Sequence, residues 1–389
     1  MFGGDIVISF TFHNPVRLFF GCGELKKIGK LTKEQGDKAL LVTSGSSKRT
    51  GLLQKVIEYI HNAGVELVVF DKIQANPLTT VVAEGAALAK NTQCKVVIGL
   101  GGGSSMDAAK AIALIVKNEG DIVDYTLGKA GNGALPLILV STTAGTGSEG
   151  NNVSVLTNPE TNDKRGLKSP FLYAKASIVD PEVLLTLPRH SIAGPGLDAL
   201  FHSIEAFVAK RSNSMTEIMA LKAISLLAQN LPVVYSDSSN LKAWEKVAFA
   251  SMLGGMAIGG SGTTLPHALE HPVSGKYNAP HGEGLAALYV AIMNFSYRSN
   301  PEKFATIAML LGENIEGLSS EQAAAKSVDG VAKLMRKVGM TPNLRDFGVK
   351  EDDVNWLTDN AIATMKFAIE NNPQVPSIAQ IKEIYLQSL

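Results

Sequence analysis

The chain has 389 residues, more than one hydrophobic core usually organises, so two domains are expected. Its 45% apolar and 19% charged residues exclude a disordered or fibrous chain. Its 36 basic residues balance 36 acidic ones with no block of like charge, so no nucleic-acid partner is expected.

The first residues, MFGGDIVISFTFHNP, lack the basic segment and apolar stretch of a secretory leader. No run of about 18 apolar residues offers a membrane span. A cytoplasmic protein without membrane attachment is therefore expected. Cys22 and Cys94 have no CxxC spacing, so they form neither a disulfide framework nor a thiolate zinc site. They are expected as free, buried thiols.

Strand and helix signals alternate through the first half. Residues 38–42 (KALLV), 65–70 (VELVVF), 95–100 (KVVIGL) and 135–140 (LPLILV) are short apolar runs without helical period. Residues 52–61, 81–89 and 105–116 between them have helical patterns. Such alternation implies a parallel sheet covered on both faces, an α/β Rossmann-like nucleotide-binding domain. After Pro188 long alanine-, leucine- and methionine-rich stretches follow, among them 215–227 and 241–258. Residues 1–188 are thus expected as the α/β domain and 189–389 as an all-helical domain.

The first chemical signal is KVVIGL-GGGSS-MDAAK. A buried strand runs into Gly101, Gly102 and Gly103, and Ser104 or Ser105 then caps a helix. Glycines let the backbone approach a ligand, and a helix N-terminus offers N–H groups to a phosphate. A second loop, STTAGTGSEG, follows the next strand and crowds Ser141, Thr142, Thr143, Gly145, Thr146, Gly147 and Ser148 together. A third, Ser44-Gly45-Ser46-Ser47-Lys48-Arg49, stands where NAD-specific sites usually carry an acidic residue for the ribose. Hydroxyls and cations suit a 2′-phosphate better, which predicts a preference for NADP(H) over NAD(H).

Four of the seven histidines, His202, His267, His271 and His281, lie within 80 residues of one another in the helical half. Asp198 and His202 are four apart in GLDALFHSIEAF, so carboxylate and imidazole share a helix face. His267 and His271 repeat that spacing, and His281 lies between proline and glycine, a position suited to a turn. Three imidazoles and a carboxylate suit a divalent ion such as iron(II) (Fe2+) or zinc (Zn2+). Spacing alone leaves His267, His271 and His281 all open for the two remaining ligand places.

GGGSSMDAAK, TTAGTGSE, the DPE of Asp180–Glu182, GLDALFHSIEAF, HALEH…NAPHG and NPEKFATIA together resemble the iron-containing (group III) alcohol dehydrogenases over nearly the whole chain. The resemblance implies a metal on Asp198, His202, His267 and His281, with His271 beside nicotinamide and substrate as the catalytic proton relay. It implies a pyrophosphate on Gly102, Gly103 and Ser104, and Thr142, Thr143 and Gly147 lining the second loop. Lys164 is expected at the cofactor ribose and Asn76 at the nicotinamide edge. Asp107, Ser44, Ser46 and Ser47 complete the expected cofactor set. The implied activity is reversible hydride transfer between a small primary alcohol or diol and NAD(P), in a homodimer or higher homo-oligomer. A polyol or glycerol dehydrogenase, or a sugar-phosphate cyclase, is the rival within the same wider fold group. Three departures stand out. Ser44 replaces an aspartate found in many NAD-dependent members, Gly150-Asn151-Asn152 follows Glu149 where valine and threonine are more usual, and Glu270 replaces a small residue beside His271.

Overall fold

The structure is a computed structural model describing residues 9–389; residues 1–8 of the stretch read for a leader lie outside the described residues. Among the described residues, eight strands occupy the first half: β1 (Arg17–Phe20), β2 (Lys38–Ser44), β3 (Glu66–Ile73), β4 (Val96–Gly101), β5 (Leu137–Ser141), β6 (Val153–Asn158), β7 (Asp163–Lys168) and β8 (Ala176–Val179). Six form one sheet in the order β1-β8-β5-β4-β2-β3, every neighbouring pair parallel. Successive side chains of a strand point to opposite faces. In β2, Leu40 and Val42 enter one apolar cluster while Ala39 and Leu41 enter another, so both faces are covered. That double burial is why β2, β4 and β5 read as unbroken apolar runs.

The order places the carboxyl ends of β5, β4 and β2 side by side, the edge where doubly wound sheets bind nucleotides. The remaining pair, β6 and β7, is an antiparallel hairpin. It packs β6 on the Gly103–Val116 helix and β7 on the Leu265–Tyr277 helix, and so bridges the two halves of the molecule.

No strand follows Val179 among the described residues; helices run from His190–Val208 to Ile378–Gln387 around two further apolar clusters. The Ser214–Ser236 helix is long and apolar enough to cross a membrane, yet it packs on His190–Val208 and Leu241–Ser261 as a core helix. An α/β sheet domain and a helical domain are the fold.

Three local expectations are corrected. The segment after β2 is a short helix, Gly45–Arg49, where a loop was expected. Cys22 is exposed, its Sγ 3.6 Å from Glu245 Oε1, and only Cys94 is buried. His281 opens the His281–Ser296 helix where a turn was expected, because Pro280 stands at its N-cap.

Candidate active site

After β4 the chain turns at Gly102, which is the N-cap of the Gly103–Val116 helix in place of the expected serine. No side chain caps this helix, so its leading N–H groups are left for a ligand. A Cβ on Gly103 would lie 2.4 Å from Thr146 Cγ2, and one on Gly102 would lie 2.8 Å from Thr143 Oγ1. The first two glycine-rich loops therefore interlock, glycine backbone of one against threonine side chains of the other. Gly147 holds φ +58° and leaves no room for a Cβ, which would lie 2.5 Å from Gly255 Cα. The second loop is thus pressed directly onto the Leu241–Ser261 helix of the other half.

Gly102, Gly103, Ser104, Thr142, Thr143 and Gly147 gather at this edge, with Gly102, Ser104, Thr142 and Thr143 partly exposed. Asp107 is engaged elsewhere. Its carboxylate accepts from Ser148 Oγ (2.6 Å) and Val155 N (2.9 Å), tying the helix to β6. Burial raises its carboxyl pKa. At the end of β2, Ser44 Oγ lies 2.8 Å from Ser46 Oγ, both accessible. Ser47 turns inward, its hydroxyl bonded to Thr43 Oγ1 at 2.7 Å.

The aspartate–histidine cluster rests on one close crossing. A Cβ on Gly282 would lie 2.2 Å from Gly194 O, so the His190–Val208 and His281–Ser296 helices touch backbone to backbone. One turn beyond Gly194 stands Asp198; beside Gly282 stands His281. Asp198 Oδ1 lies 3.4 Å from His202 Nδ1, 3.4 Å from His267 Nε2 and 3.8 Å from His281 Nε2. A tetrahedral ion with bonds of ~2.1 Å separates its ligands by about 3.4 Å. Asp198, His267 and His281 offer ligand atoms that all lie within 4.8 Å of one another. His202 stands at the margin of that group, its ring stacked on His267 with centroids 4.4 Å apart.

Asp198 Oδ1, His202 Nδ1 and His267 Nε2 are buried and have no hydrogen-bond partner among the described residues. Such orphaned buried atoms are costly unless a further partner satisfies them. Burial pushes the Asp198 carboxyl up, but His202, His267 and His281 pull it down further, so it stays ionised. Burial likewise pushes His202 down to about 4 against the pull of Asp198. His267 goes the other way: burial is outweighed by Glu205 and Asp198, which hold it up at about 10. Two carboxylates around one ring call for a positive charge, and a divalent ion fits that demand.

Glu205 was missed in the sequence. Its Oε1 lies 2.7 Å from His267 Nδ1, and its Oε2 accepts from Thr264 N at 2.7 Å. The signal was there: Asp198, His202 and Glu205 are spaced i, i+4, i+7 along one helix face. His271 lies apart from the orphaned atoms, its Nδ1 3.1 Å from Lys164 O. Burial and the Lys164 charge keep it neutral. Asn76, at φ +49°, donates to Asn278 Oδ1 (3.0 Å) and Ala279 O (3.1 Å) and accepts from Lys164 Nζ at 3.0 Å. It fastens the nucleotide half to the segment leading into His281.

The chain matches two family descriptions, "Iron-containing alcohol dehydrogenase" over residues 15–181 and "Fe-containing alcohol dehydrogenase family, C-terminal" over residues 192–389. It is 36% identical over 374 residues to 1,3-propanediol dehydrogenase of Klebsiella pneumoniae, covering 95% of this chain and 96% of that protein. It is 34% identical to NAD-dependent methanol dehydrogenase of Bacillus methanolicus, covering 97% and 100%. An archaeal halo-thermophilic Red Sea brine pool alcohol dehydrogenase superposes with a TM-score of 0.94 at 37% identity, covering 99% of this chain and 100% of that one. With these matches along both halves, and the fold and cluster described above, the chain belongs to the iron-containing alcohol dehydrogenase family, oxidoreductases acting on alcohols or diols.

Proposed function

We propose that the chain interconverts a small primary alcohol or diol and its aldehyde, using a divalent ion on Asp198, His202, His267 and His281 and preferring NADP(H). Residues 1–188 then form the nucleotide-binding domain and 189–389 the metal-binding domain. The observation that carries this reading is the set of buried, unpartnered polar atoms around Asp198 Oδ1. A bound ion supplies Lewis acidity towards an alcohol or carbonyl oxygen, and the nicotinamide supplies the hydride chemistry.

The protein's own residues orient and relay. Glu205 takes the Nδ1–H of His267 and turns its Nε2 lone pair to the centre. The free helix N-terminus at Gly102–Ser104 binds the pyrophosphate. The preference for NADP(H) rests on the end of β2. Ser44 and Ser46 present hydroxyls there, and the Arg49 guanidinium lies 3.3 Å from where a Gly45 Cβ would stand. A panel of alcohols and aldehydes with both cofactors, followed by nicotinamide absorbance, tests this. Turnover should be faster with NADP(H) and disappear on chelation. Equal or better efficiency with NAD(H) overturns the preference, and turnover surviving complete chelation overturns the metal.

His271 donates Nδ1–H to the Lys164 carbonyl, which leaves its Nε2 lone pair to accept a proton. As a neutral imidazole it is suited to carry the alcohol proton out of the cleft. His271→Ala should lower kcat by roughly 10²–10⁴-fold and reshape the pH–rate profile. An unaltered profile with full turnover would remove the relay.

A further inference from the structure

Glu270 is one of the departures of this chain, and it is completely buried on the Leu265–Tyr277 helix. A buried carboxylate is costly unless paired, and this one is paired on both oxygens. Oε1 accepts the Ser274 hydroxyl hydrogen bond. Oε2 lies 2.5 Å from His281 Nδ1 and 3.5 Å from Lys164 Nζ. Space for it exists because residue 284 is glycine: a Cβ there would lie 3.0 Å from Glu270 Oε1.

Two groups compete for His281 Nδ1. Lys164 Nζ stands 3.2 Å away and can only donate; the Glu270 carboxylate can only accept. If Lys164 wins, Nδ1 is the acceptor and the ring hydrogen moves to Nε2. The ring then aims N–H at Asp198 Oδ1, 3.8 Å away, where a ligand lone pair is needed. If Glu270 wins, Nδ1 carries the hydrogen and Nε2 offers its lone pair to the centre. The shorter contact belongs to Glu270, which also takes Lys164 into an ion pair and leaves that amine bonded to Asn76. His281 needs such a guide, because it is the first residue of its helix and its side chain is 24% exposed.

We propose that Glu270 is a positioning residue for the metal, selecting the His281 tautomer that binds an ion against the competing pull of Lys164. The proposal rests on the metal-dependent reading above. Glu205 serves His267 and Glu270 serves His281, so two of the three imidazoles each have their own carboxylate.

Zinc affinity separates this role from simple packing. Chelator-stripped protein is titrated with Zn2+ against a chelating dye, with far-UV circular dichroism and the thermal unfolding midpoint as the checks on folding. Glu270→Ala should weaken Zn2+ binding by about 100-fold, and the double variant Glu270→Ala/Lys164→Met by about 10-fold, the span that outer-shell partners of metal ligands command. The partial recovery is the signature: removing the competitor restores what removing the carboxylate lost. If Glu270→Ala does not fold, the double variant, which removes both charges together, decides. Zinc affinity within twofold of the wild type in either variant overturns the proposal, as does a double variant weaker than the single one. A stripped wild-type chain that takes up neither Zn2+ nor Fe2+ overturns instead the metal reading on which it rests.

Discussion

Asp198→Asn is expected to reduce kcat/KM by at least about a thousandfold, a loss of roughly 4 kcal/mol of transition-state stabilisation. The site is centred on this one carboxylate, since Oδ1 is the vertex from which all three imidazole contacts of 3.4, 3.4 and 3.8 Å are measured. It is also the proposed site's only anionic ligand, and an amide keeps its shape while removing its charge. Because Oδ1 makes no hydrogen bond among the described residues, the fold has little to lose. The variant should therefore bind NADP(H) as the wild type does, melt close to the metal-stripped wild type, and retain almost no divalent ion after dialysis. His267→Ala should lose the ion and the activity too, but it strands Glu205, whose Oε1 loses its partner, and so costs stability as well. Turnover within tenfold of wild type in metal-free Asp198→Asn would end the argument for this centre.

The sheet was legible where a strand carries an apolar run of four or more residues, and invisible where the strand is too short or too polar to do so. Strands β2 to β5 were found in the sequence. β1 and β8 were not, being four residues each, and β1 exposes Arg17 and Phe20 at the sheet edge. The hairpin β6–β7 contains Asn158, Asp163, Lys164, Arg165 and Lys168, which break up any apolar run. Their positions follow from tertiary contacts instead: Lys164 is buried against Asn76, and Lys168 reaches Gly259 O at 3.0 Å. The His190–Val208 helix is buried almost all round, so no amphipathic stripe marked which face held the site.

The candidate site was legible in its aspartate and histidines and opaque in the residues that support them. Aspartate and histidine at helical spacing announce a cluster, whereas Glu205, Glu270 and Lys110 look like ordinary solvated charges until partners are known. Gly282 shows the same limit. Next to His281 it suggested a turn, but its reason lies 88 positions away in sequence, in the close pass of Gly194 O.

Lys110→Met is the second large effect, and it falls on stability. Lys110 is fully buried in the Gly103–Val116 helix, and its ammonium meets Ser148 O (2.7 Å), Ser148 Oγ (2.7 Å), Val153 O (2.8 Å) and Asn151 Oδ1 (3.1 Å). Asp107 is the nearest paired carboxylate, at 4.0 Å, so hydrogen bonds to neutral oxygens carry most of the compensation for burying the charge. Burial pushes the amine down to about 8, against the pull of Asp107 and Glu149. Removing both sides of such an interaction can be neutral, but methionine removes one and leaves the acceptors inside. Each stranded acceptor costs about 1–3 kcal/mol, and a total near ~4 kcal/mol is expected after relaxation. The unfolding midpoint should fall by roughly 5 °C. The same residues form the turn that carries Gly147 onto Gly255, and Asn151 Nδ2 donates across that contact to Gly255 O at 3.3 Å. Loosening them should therefore weaken cofactor binding along with stability. A Lys110→Met variant that melts with the wild type would show that water or a shifted loop satisfies these oxygens, and that the lysine does not pin the second glycine loop.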